Sequence, residues 1–188
     1  MFEIIKQDIL KFFYMYIGQG SKYAMVAFFL TFLIGGCYAR KCGKGHFFCA
    51  WVLGKSILVA LLVLYLYTVI GITLLSRIGQ TVTNVNLRPF STFNKTLVER
   101  KFVYENLLLF VPFGILLYLL AKPFREAWAV LLAGVLCSLA IEVAQLITKL
   151  GSFIVDDILT NTVGMLAGYL VCLGITWGIK KMRHFTKT

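Results

Sequence analysis

The sequence predicts an all-α integral membrane protein, a bundle of about five transmembrane helices in a single membrane domain over residues 1–188. Hydrophobic residues make up 60% of the chain and charged residues only 14%, so a soluble protein of this size would lack the polar side chains to cover its apolar surface. The apolar residues also fall into runs of about 20, the length that crosses the hydrocarbon core of a bilayer. These observations favour a multi-pass membrane protein.

Basic residues outnumber acidic ones, with 19 Lys and Arg against 8 Asp and Glu and a formal net charge of +11. In a soluble protein this excess would suggest nucleic-acid binding, but here the bases lie in short clusters beside apolar runs. That pattern is typical of positive-inside anchoring and of contact with anionic headgroups. We therefore expect membrane lipids as partners and no nucleic acid.

The five cysteines do not form the pattern of a disulfide framework, because their number is odd and most lie in or beside apolar runs. Cys42 and Cys49 flank His46, yet no CxxC pair or second histidine completes a metal site. The sequence also contains no Gly-rich phosphate loop and no GxSxG elbow. We expect neither a metal nor a cofactor.

Residues 1–75 contain the first two predicted spans. The opening stretch, MFEIIKQDILKFFYMYIGQG, interleaves charged and apolar residues and fits either an interfacial amphipathic helix or a polar entry to the first span. Span one covers residues 23–39 and extends back over 14–17 to reach the required length. A short basic connection at 40–46 leads to span two at 51–75.

A long connection at 76–105 follows, and a loop of this length is usually functional or disordered. Its NLRPF sequence at 86–90 and further aromatic residues argue against simple disorder. The last three spans occupy residues 106–179, the first of them interrupted by Pro112, and a basic tail at 180–188 closes the chain. These spans are 106–121, 127–147 and 158–179.

Lys and Arg are divided almost equally between the two sides of the predicted spans. On the side of the carboxyl-terminal tail, however, they lie in shorter segments directly beside the spans. The positive-inside rule then predicts an outside amino terminus and a cytoplasmic carboxyl terminus. Five alternating crossings also place the long loop, the start of span three, the end of span four and the start of span five on one shared side.

That shared side carries an unusual concentration of polar residues. Near the end of span four, four of them have the spacing that forms one stripe along a helix, which we expect to face protein rather than lipid. Ionisable groups in a span are costly and mark a functional site by default, so Glu142 is a candidate base, ion ligand or headgroup contact. The alternative is a hydrogen-bonded contact between helices. The stripe consists of Ser138, Glu142, Gln145 and Lys149.

Two acids precede span five. Asp156 and Asp157 are placed to cap this helix, where free amides and the positive end of the dipole favour an anion, but capping needs only one acid. Asn161 follows, with Gly164 and Gly168 in the spacing NxxGxxxG, which lets another backbone approach closely. We therefore expect Asn161 to lie against a neighbouring helix.

Further polar residues share this side of the membrane. Asn106 opens span three, and Arg77 and Arg88 lie in the long loop. The two arginines are placed either to neutralise Glu142 or Asp156, or to bind a phosphate or carboxylate.

Four ordered motifs resemble the VanZ-like family. They are NLRPF at 86–90, NLLLFVPFG at 106–114, SLAIEVAQ at 138–145 and VDDILTNTVG at 155–164. The resemblance covers residues 75–173, and the first two spans match in hydropathy alone. Members of this family often carry an acidic residue just before the Asp pair and an arginine in the preceding turn. Here Ile154 and Gly151 occupy those places, so a ligand contact is either absent or supplied by Lys149.

The resemblance implies a membrane protein of a bacterial envelope, associated with lowered susceptibility to lipoglycopeptide antibiotics such as teicoplanin. Our first hypothesis is that an outward polar pocket binds an amphiphile without turnover, either a lipid-linked cell-wall precursor or the lipoglycopeptide. The candidate ligand-binding residues are Arg77, Arg88, Asn106, Glu142, Gln145, Asp156, Asp157 and Asn161.

Two alternatives remain open. In an intramembrane enzyme, Glu142, Asp156 or Asp157 would act as general base or hold a divalent cation for hydrolysis or transfer on a lipid headgroup. A small transporter or flippase component is disfavoured, because the inward half shows no matching intramembrane charge and the chain no internal repeat.

Overall fold

A computed structural model describes residues 2–41, 46–79, 84–92 and 97–185. Within these ranges the chain forms five long helices, and each contains a stretch long and apolar enough to cross a membrane, which confirms the predicted fold class. The helices are α1 (Phe2–Lys41), α2 (His46–Thr73), α3 (Leu97–Leu120), α4 (Ala127–Thr148) and α5 (Val155–Phe185), and two short strands are β1 (Val85–Asn86) and β2 (Phe153–Ile154).

The chain divides into two compact units, and the first, Phe2–Ser76, is a hairpin of α1 and α2. Its helices run antiparallel, because Gly35 of α1 lies against Val52 near the start of α2 while Tyr16 lies against Gly71 near its end. A Cβ added at Gly35 would lie only 2.5 Å from the Val52 side chain, and one at Gly71 only 2.6 Å from the Tyr16 ring. Both contacts therefore need a residue without a side chain.

The second unit, Arg77–Thr188, contains α3, α4 and α5. In it α3 and α5 approach very closely, because a Cβ at Gly164 would collide with the carbonyl oxygen of Leu107 and one at Gly168 with that of Val111. The two contacts are four residues apart in both helices, so α3 and α5 run parallel. The predicted role of the NxxGxxxG spacing in close backbone packing is confirmed.

Helix α4 packs on the other side of α5. A Cβ at Gly134 would lie 3.3 Å from the Cα of Thr162, which is a tight contact between the two backbones. Met165 of α5 is fully buried between the neighbouring helices, with its carbonyl oxygen against Gly114 of α3 and its sulfur beside Gly134 of α4. Small residues on α3 and α4 thus set the spacing of this three-helix unit.

The two short strands attach part of the long loop to the turn between α4 and α5. They pair in parallel, with Val85 opposite Phe153 and Asn86 opposite Ile154. The amide of Phe153 also donates to the carbonyl oxygen of Asn84 at 2.9 Å. This pairing brings residues 84–92 to the ends of the helices that carry the predicted polar residues.

The prediction of a loop through residue 105 is wrong over residues 97–105, because α3 begins at Leu97. Lys101 and Glu105, one turn apart on this added segment, form an ion pair at 3.5 Å that supports the helix. Pro112 does not end α3, which continues to Leu120. Membrane helices tolerate an internal proline where neighbouring groups satisfy the freed carbonyl.

Two helices extend beyond their apolar stretches. Residues 2–13 continue α1 without a break, and their placement at the interface or as a polar entry to span one stays a prediction. The described part of the basic tail, up to Phe185, continues α5 as helix. In both cases the helix runs beyond the apolar stretch, because charged residues do not interrupt helical backbone hydrogen bonding.

Candidate functional site

The polar stripe on α4 faces the protein interior, as predicted, over three of its four residues. Ser138, Glu142 and Gln145 are buried, with exposed fractions of 0%, 2% and 4%. Lys149 departs from the stripe because it ends the helix in the left-handed region, at φ 58°, and its side chain is exposed. Its backbone amide donates to the carbonyl oxygens of Gln145 and Leu146, so its role is to close the last turn.

Glu142 is hydrogen-bonded to the turn that follows its own helix. Its Oε2 accepts the backbone amide of Ile154 at 2.7 Å. Ile154 is the second residue of β2 and directly precedes α5, so this bond ties the end of α4 to the start of α5. A hydrogen bond from a buried amide to a carboxylate is strong because it is charge-assisted, and it offsets part of the free-energy cost of burying Glu142.

Asp156 lies in the first turn of α5, as predicted, and its side chain binds the long loop. Its Oδ1 accepts the amide of Phe90 at 2.6 Å, and its Oδ2 accepts the amide of Thr92 at 2.8 Å and the hydroxyl of Ser91 at 3.3 Å. The residue is fully buried. Its two oxygens hold three loop donors, and this arrangement alone accounts for a buried carboxylate here. A ligand or catalytic role for Asp156 stays a prediction.

A second group of charges lies beside these structural contacts and combines residues from α3, α4, α5 and the loop. The guanidinium of Arg77 lies close enough to the carboxylates of Glu142 and Asp157 for their charges to interact. The side chain of Asn106 lies beside Asp157, within reach of a hydrogen bond. We call Arg77, Asn106, Glu142 and Asp157 the charged cluster. Arg77 was predicted to neutralise Glu142 or Asp156, and the carboxylates it acts on are Glu142 and Asp157.

Gly151 makes room for the guanidinium of the charged cluster. A Cβ added at Gly151 would lie 2.7 Å from Nη1 of Arg77 and 3.1 Å from Cδ of Gln145. The guanidinium thus occupies the space beside the turn that a side chain at residue 151 would need. Arg77 thus brings a positive charge to this turn, and the predicted alternatives for the ligand contact, its absence or its supply by Lys149, stay predictions.

Asn161 joins α5 to α4, as its position ahead of the two glycines predicted. Its Nδ2 donates to the hydroxyl of Ser138 at 2.8 Å, and both side chains are buried. The Oδ1 of Asn161 is buried without a hydrogen-bond partner among the described residues. A buried amide oxygen of this kind is an acceptor available to a water or a ligand donor.

The contacts described for Arg88 do not involve the charged cluster. Arg88 sits in the turn after β1, where its backbone amide donates to Oδ1 of Asn86 at 3.1 Å and its side chain is exposed. Asn86 also donates to the hydroxyl of Ser91 at 2.7 Å, so the NLRPF segment is folded on itself. Ligand binding by Arg88 stays a prediction.

Sequence reasoning did not identify several residues that shape the site. Three of the contacts are made by the backbone amides of Phe90, Thr92 and Ile154, and a residue's type does not reveal what its backbone amide binds. Ser91 directly follows the NLRPF motif. Gly151 was noticed only as a departure from the family pattern. In the part of the chain that the structure describes, no group of three His, Cys, Asp or Glu side chains could hold a metal, and Cys42 lies outside the described residues.

Comparison with known proteins agrees with the motifs in this region. A family model described as VanZ/LLP1 matches residues 54–177, which include every member of the charged cluster. Protein VanZ from Enterococcus faecium is 32% identical over 125 residues, which cover 62% of this chain and 73% of that relative. No solved structure matches the chain.

Proposed function

The chain belongs to the VanZ-like family, and from that membership we propose that it lowers the susceptibility of a bacterium to teicoplanin-type lipoglycopeptides by binding an envelope amphiphile at the charged cluster. Five spanning helices fit a multi-pass membrane protein. In the proposal the amino terminus and the cluster face outward, where both a lipid-linked cell-wall precursor and the antibiotic are found.

The observation that carries the proposal is that the charge of Arg77 acts on two carboxylates, those of Glu142 and Asp157. Other contacts in this unit already have their own hydrogen bonds. Asp156 accepts the amides of the loop, and Asn161 donates to Ser138. Glu142 is also bonded to Ile154, but Arg77 and Asp157 bring two further ionisable groups to the same place. Such groups are costly in or beside a membrane and usually serve a function. This excess over structural need supports a binding site.

The chemistry of the charged cluster fits a headgroup that carries both an anion and hydrogen-bond donors. A guanidinium is a planar fork that binds phosphate or carboxylate through two bonds. The carboxylates of Glu142 and Asp157, together with Oδ1 of Asn161, would accept hydroxyl, amide or amine donors. A lipid-linked precursor supplies phosphate, and a lipoglycopeptide supplies carboxylate and amine.

The proposal is for binding without turnover. Asp156, one of the acids considered as a general base, has both carboxylate oxygens bonded to the loop. An enzyme would therefore have to act through Glu142 or Asp157. Incubating the purified protein with radiolabelled lipid-linked precursor tests this point, because a released headgroup in amounts above the protein concentration would contradict binding without turnover.

The main experiment measures the lowest teicoplanin concentration that stops growth of a susceptible bacterium expressing the full chain. We expect Glu142→Gln, Asp157→Asn and Arg77→Gln to abolish the protection given by the native protein, since each removes one charge. The two changes at the acids also keep the shape of the side chain. Glu126→Gln is the matched control, because Glu126 is an exposed acid at the opposite end of α4. Immunoblots of the membrane fraction establish that all variants accumulate equally.

Full protection by all three charge-removing variants at equal abundance would show that the cluster is not the binding site. Binding of purified protein to soluble teicoplanin, compared with binding to vesicles containing lipid-linked precursor, then distinguishes the two proposed ligands. The precursor is favoured if the protein binds only the vesicles that contain it. The antibiotic is favoured if the protein binds soluble teicoplanin when no vesicles are present.

A further inference from the structure

A cleft of about 460 Å³ lies between the amino-terminal halves of α3 and α5, and none of its lining residues belongs to the charged cluster. Its walls are apolar, with Val103 and Leu107 from α3 and Leu159 and Val163 from α5. The volume is in the range of sites that bind small molecules, roughly 300–1,000 Å³. The side chains of Leu159 and Val163 are 39% and 52% exposed, so the cleft is open along α5.

One edge of the cleft is formed by Phe90, whose backbone is strained. Its φ of 61° lies in the left-handed region, which bulky side chains rarely adopt. Such strain persists only where surrounding contacts enforce it, and it is concentrated at ligand clamps and active sites. Here Asp156 enforces it by accepting the amides of Phe90 and of Thr92 two residues later. Asp156 is therefore a positioning residue for the Phe90 ring.

Arg100 supplies a positive charge to the lining of the cleft. It is exposed, lines the cleft, and is the first residue of the apolar span in α3. Val103 and Leu107, three and seven residues later, lie on the same helix face, about 4.5 and 10 Å further along the axis. The cleft thus has a cation at the end of the span and an apolar floor running into it, which is the pattern of a lipid headgroup above its acyl chain.

We propose that this cleft holds one acyl chain of an anionic phospholipid, with the headgroup phosphate on Arg100 and the Phe90 ring packed against the upper part of the chain. A bilayer lipid fits the cleft as its occupant, because both walls belong to helices long and apolar enough to span a membrane. The positive charge at the end of the span selects an anionic headgroup over a neutral one. The inference does not rest on the proposed function, since Arg100 and the cleft walls are outside the charged cluster.

Native mass spectrometry of the full-length protein in detergent, titrated with phosphatidylglycerol or with phosphatidylcholine of the same chains, tests the proposal. We expect the native protein to bind one phosphatidylglycerol more tightly than phosphatidylcholine. Arg100→Gln removes the charge and is expected to weaken phosphatidylglycerol binding about tenfold, the effect of one charge-assisted contact. Lys122→Gln is the charge control, at the other end of α3, and is expected to change binding less than twofold.

Val163→Trp fills the cleft and is expected to weaken binding to a similar extent. Val171→Trp is its matched control, because Val171 lies two turns further along α5 with nearly the same exposure, 50% against 52%. Phe90→Gly removes the ring while keeping a residue that accepts the left-handed conformation. It is therefore expected to weaken lipid binding, and thermal unfolding of the same variant separates a role of the ring in the cleft from a role in folding.

The proposal is overturned if phosphatidylglycerol and phosphatidylcholine bind equally, or if Val163→Trp binds lipid as tightly as Val171→Trp. It is also overturned if Val163→Trp leaves lipid binding unchanged and alters the mass of the assembly, since the cleft would then be covered by a second copy of the chain. Normal teicoplanin protection by the cleft variants together with weakened lipid binding would support this inference and leave the charged cluster as a separate site.

Discussion

Oε2 of Glu142 accepts the backbone amide of Ile154 at 2.7 Å, so a buried acid of α4 closes the turn that leads into α5. The same acid interacts with the charges of Arg77 and Asp157. Glu142 therefore has two separable properties, an acceptor oxygen that holds the fold and a negative charge that belongs to the charged cluster. Substitutions that remove one property or both distinguish them.

Glu142→Ala is expected to lower the free energy of unfolding by about 1–3 kcal/mol, because it leaves the buried amide of Ile154 without an acceptor. Glu142→Gln retains an acceptor and is expected to cost less than half as much, although it removes the charge. Thermal unfolding of the purified protein in detergent measures both, with Glu126→Ala as the exposed control on the same helix. Equal losses for Ala and Gln would show that the charge, not the acceptor, stabilises the turn.

Asp156→Ala is expected to release the loop at residues 90–92, because three donors from that segment lose their acceptor at once. Hydrogen–deuterium exchange of the full chain measures this directly. The amides of Phe90 and Thr92 should exchange at least tenfold faster, which corresponds to a loss of about 1.4 kcal/mol of local protection. Asp157→Asn, a change at the adjacent acid, should leave these two amides protected. Unchanged exchange in Asp156→Ala would mean that other contacts hold the loop.

The fold class and the helix order were predictable from the sequence because a bilayer requires long apolar helices, and hydropathy reports their existence directly. The start of α3 was not predictable, because residues 97–105 mix apolar and charged side chains and are not hydrophobic enough to indicate a membrane span. The pair of Lys101 with Glu105 supports this helix, but the spacing of the two residues permits such a contact without requiring it.

The residues of the site were predictable as a set, but their individual partners were not. Burial of Glu142 and the contact of Asn161 with a neighbouring helix follow from helical spacing and from the cost of polar groups in a membrane. The partners of Asp156 are 64 to 66 residues away in the chain, and they include two backbone amides. Side-chain types do not encode such contacts, so Asp156 was interpreted as a helix cap.

Gly164→Ala is expected to destabilise the protein by roughly 1–3 kcal/mol or more, because its Cβ would collide with the carbonyl oxygen of Leu107 and force two helices apart. Gly174→Ala on the same helix meets nothing within 4 Å and is expected to stabilise α5 by about 0.5–1 kcal/mol through higher helix propensity. The thermal unfolding midpoint checks both. A similar effect of the two substitutions would contradict the close parallel packing of α3 and α5.

Phe90→Ala and Phe90→Gly both remove the aromatic ring, but they differ in the cost of the backbone conformation. At a φ of 61°, alanine retains the clash of its Cβ with the carbonyl oxygen, whereas glycine does not. We expect the glycine variant to be more stable than the alanine variant by about 1–2 kcal/mol, measured by thermal unfolding. If the alanine variant is equally stable, Asp156 does not hold residue 90 in the left-handed region in the folded protein.

Gly151→Ala tests the position of Arg77 without changing any charge. The new Cβ would lie 2.7 Å from Nη1 of Arg77, the mobile end of a long side chain, so the guanidinium must move while the fold is retained. We expect teicoplanin protection to fall as far as in Arg77→Gln, with a change in thermal midpoint no larger than that of Gly174→Ala. The double variant Arg77→Gln with Gly151→Ala should be no worse than Arg77→Gln alone, because both act through one guanidinium. Additive losses would instead place Gly151 and Arg77 in separate roles and remove the argument that the turn is shaped to receive this arginine.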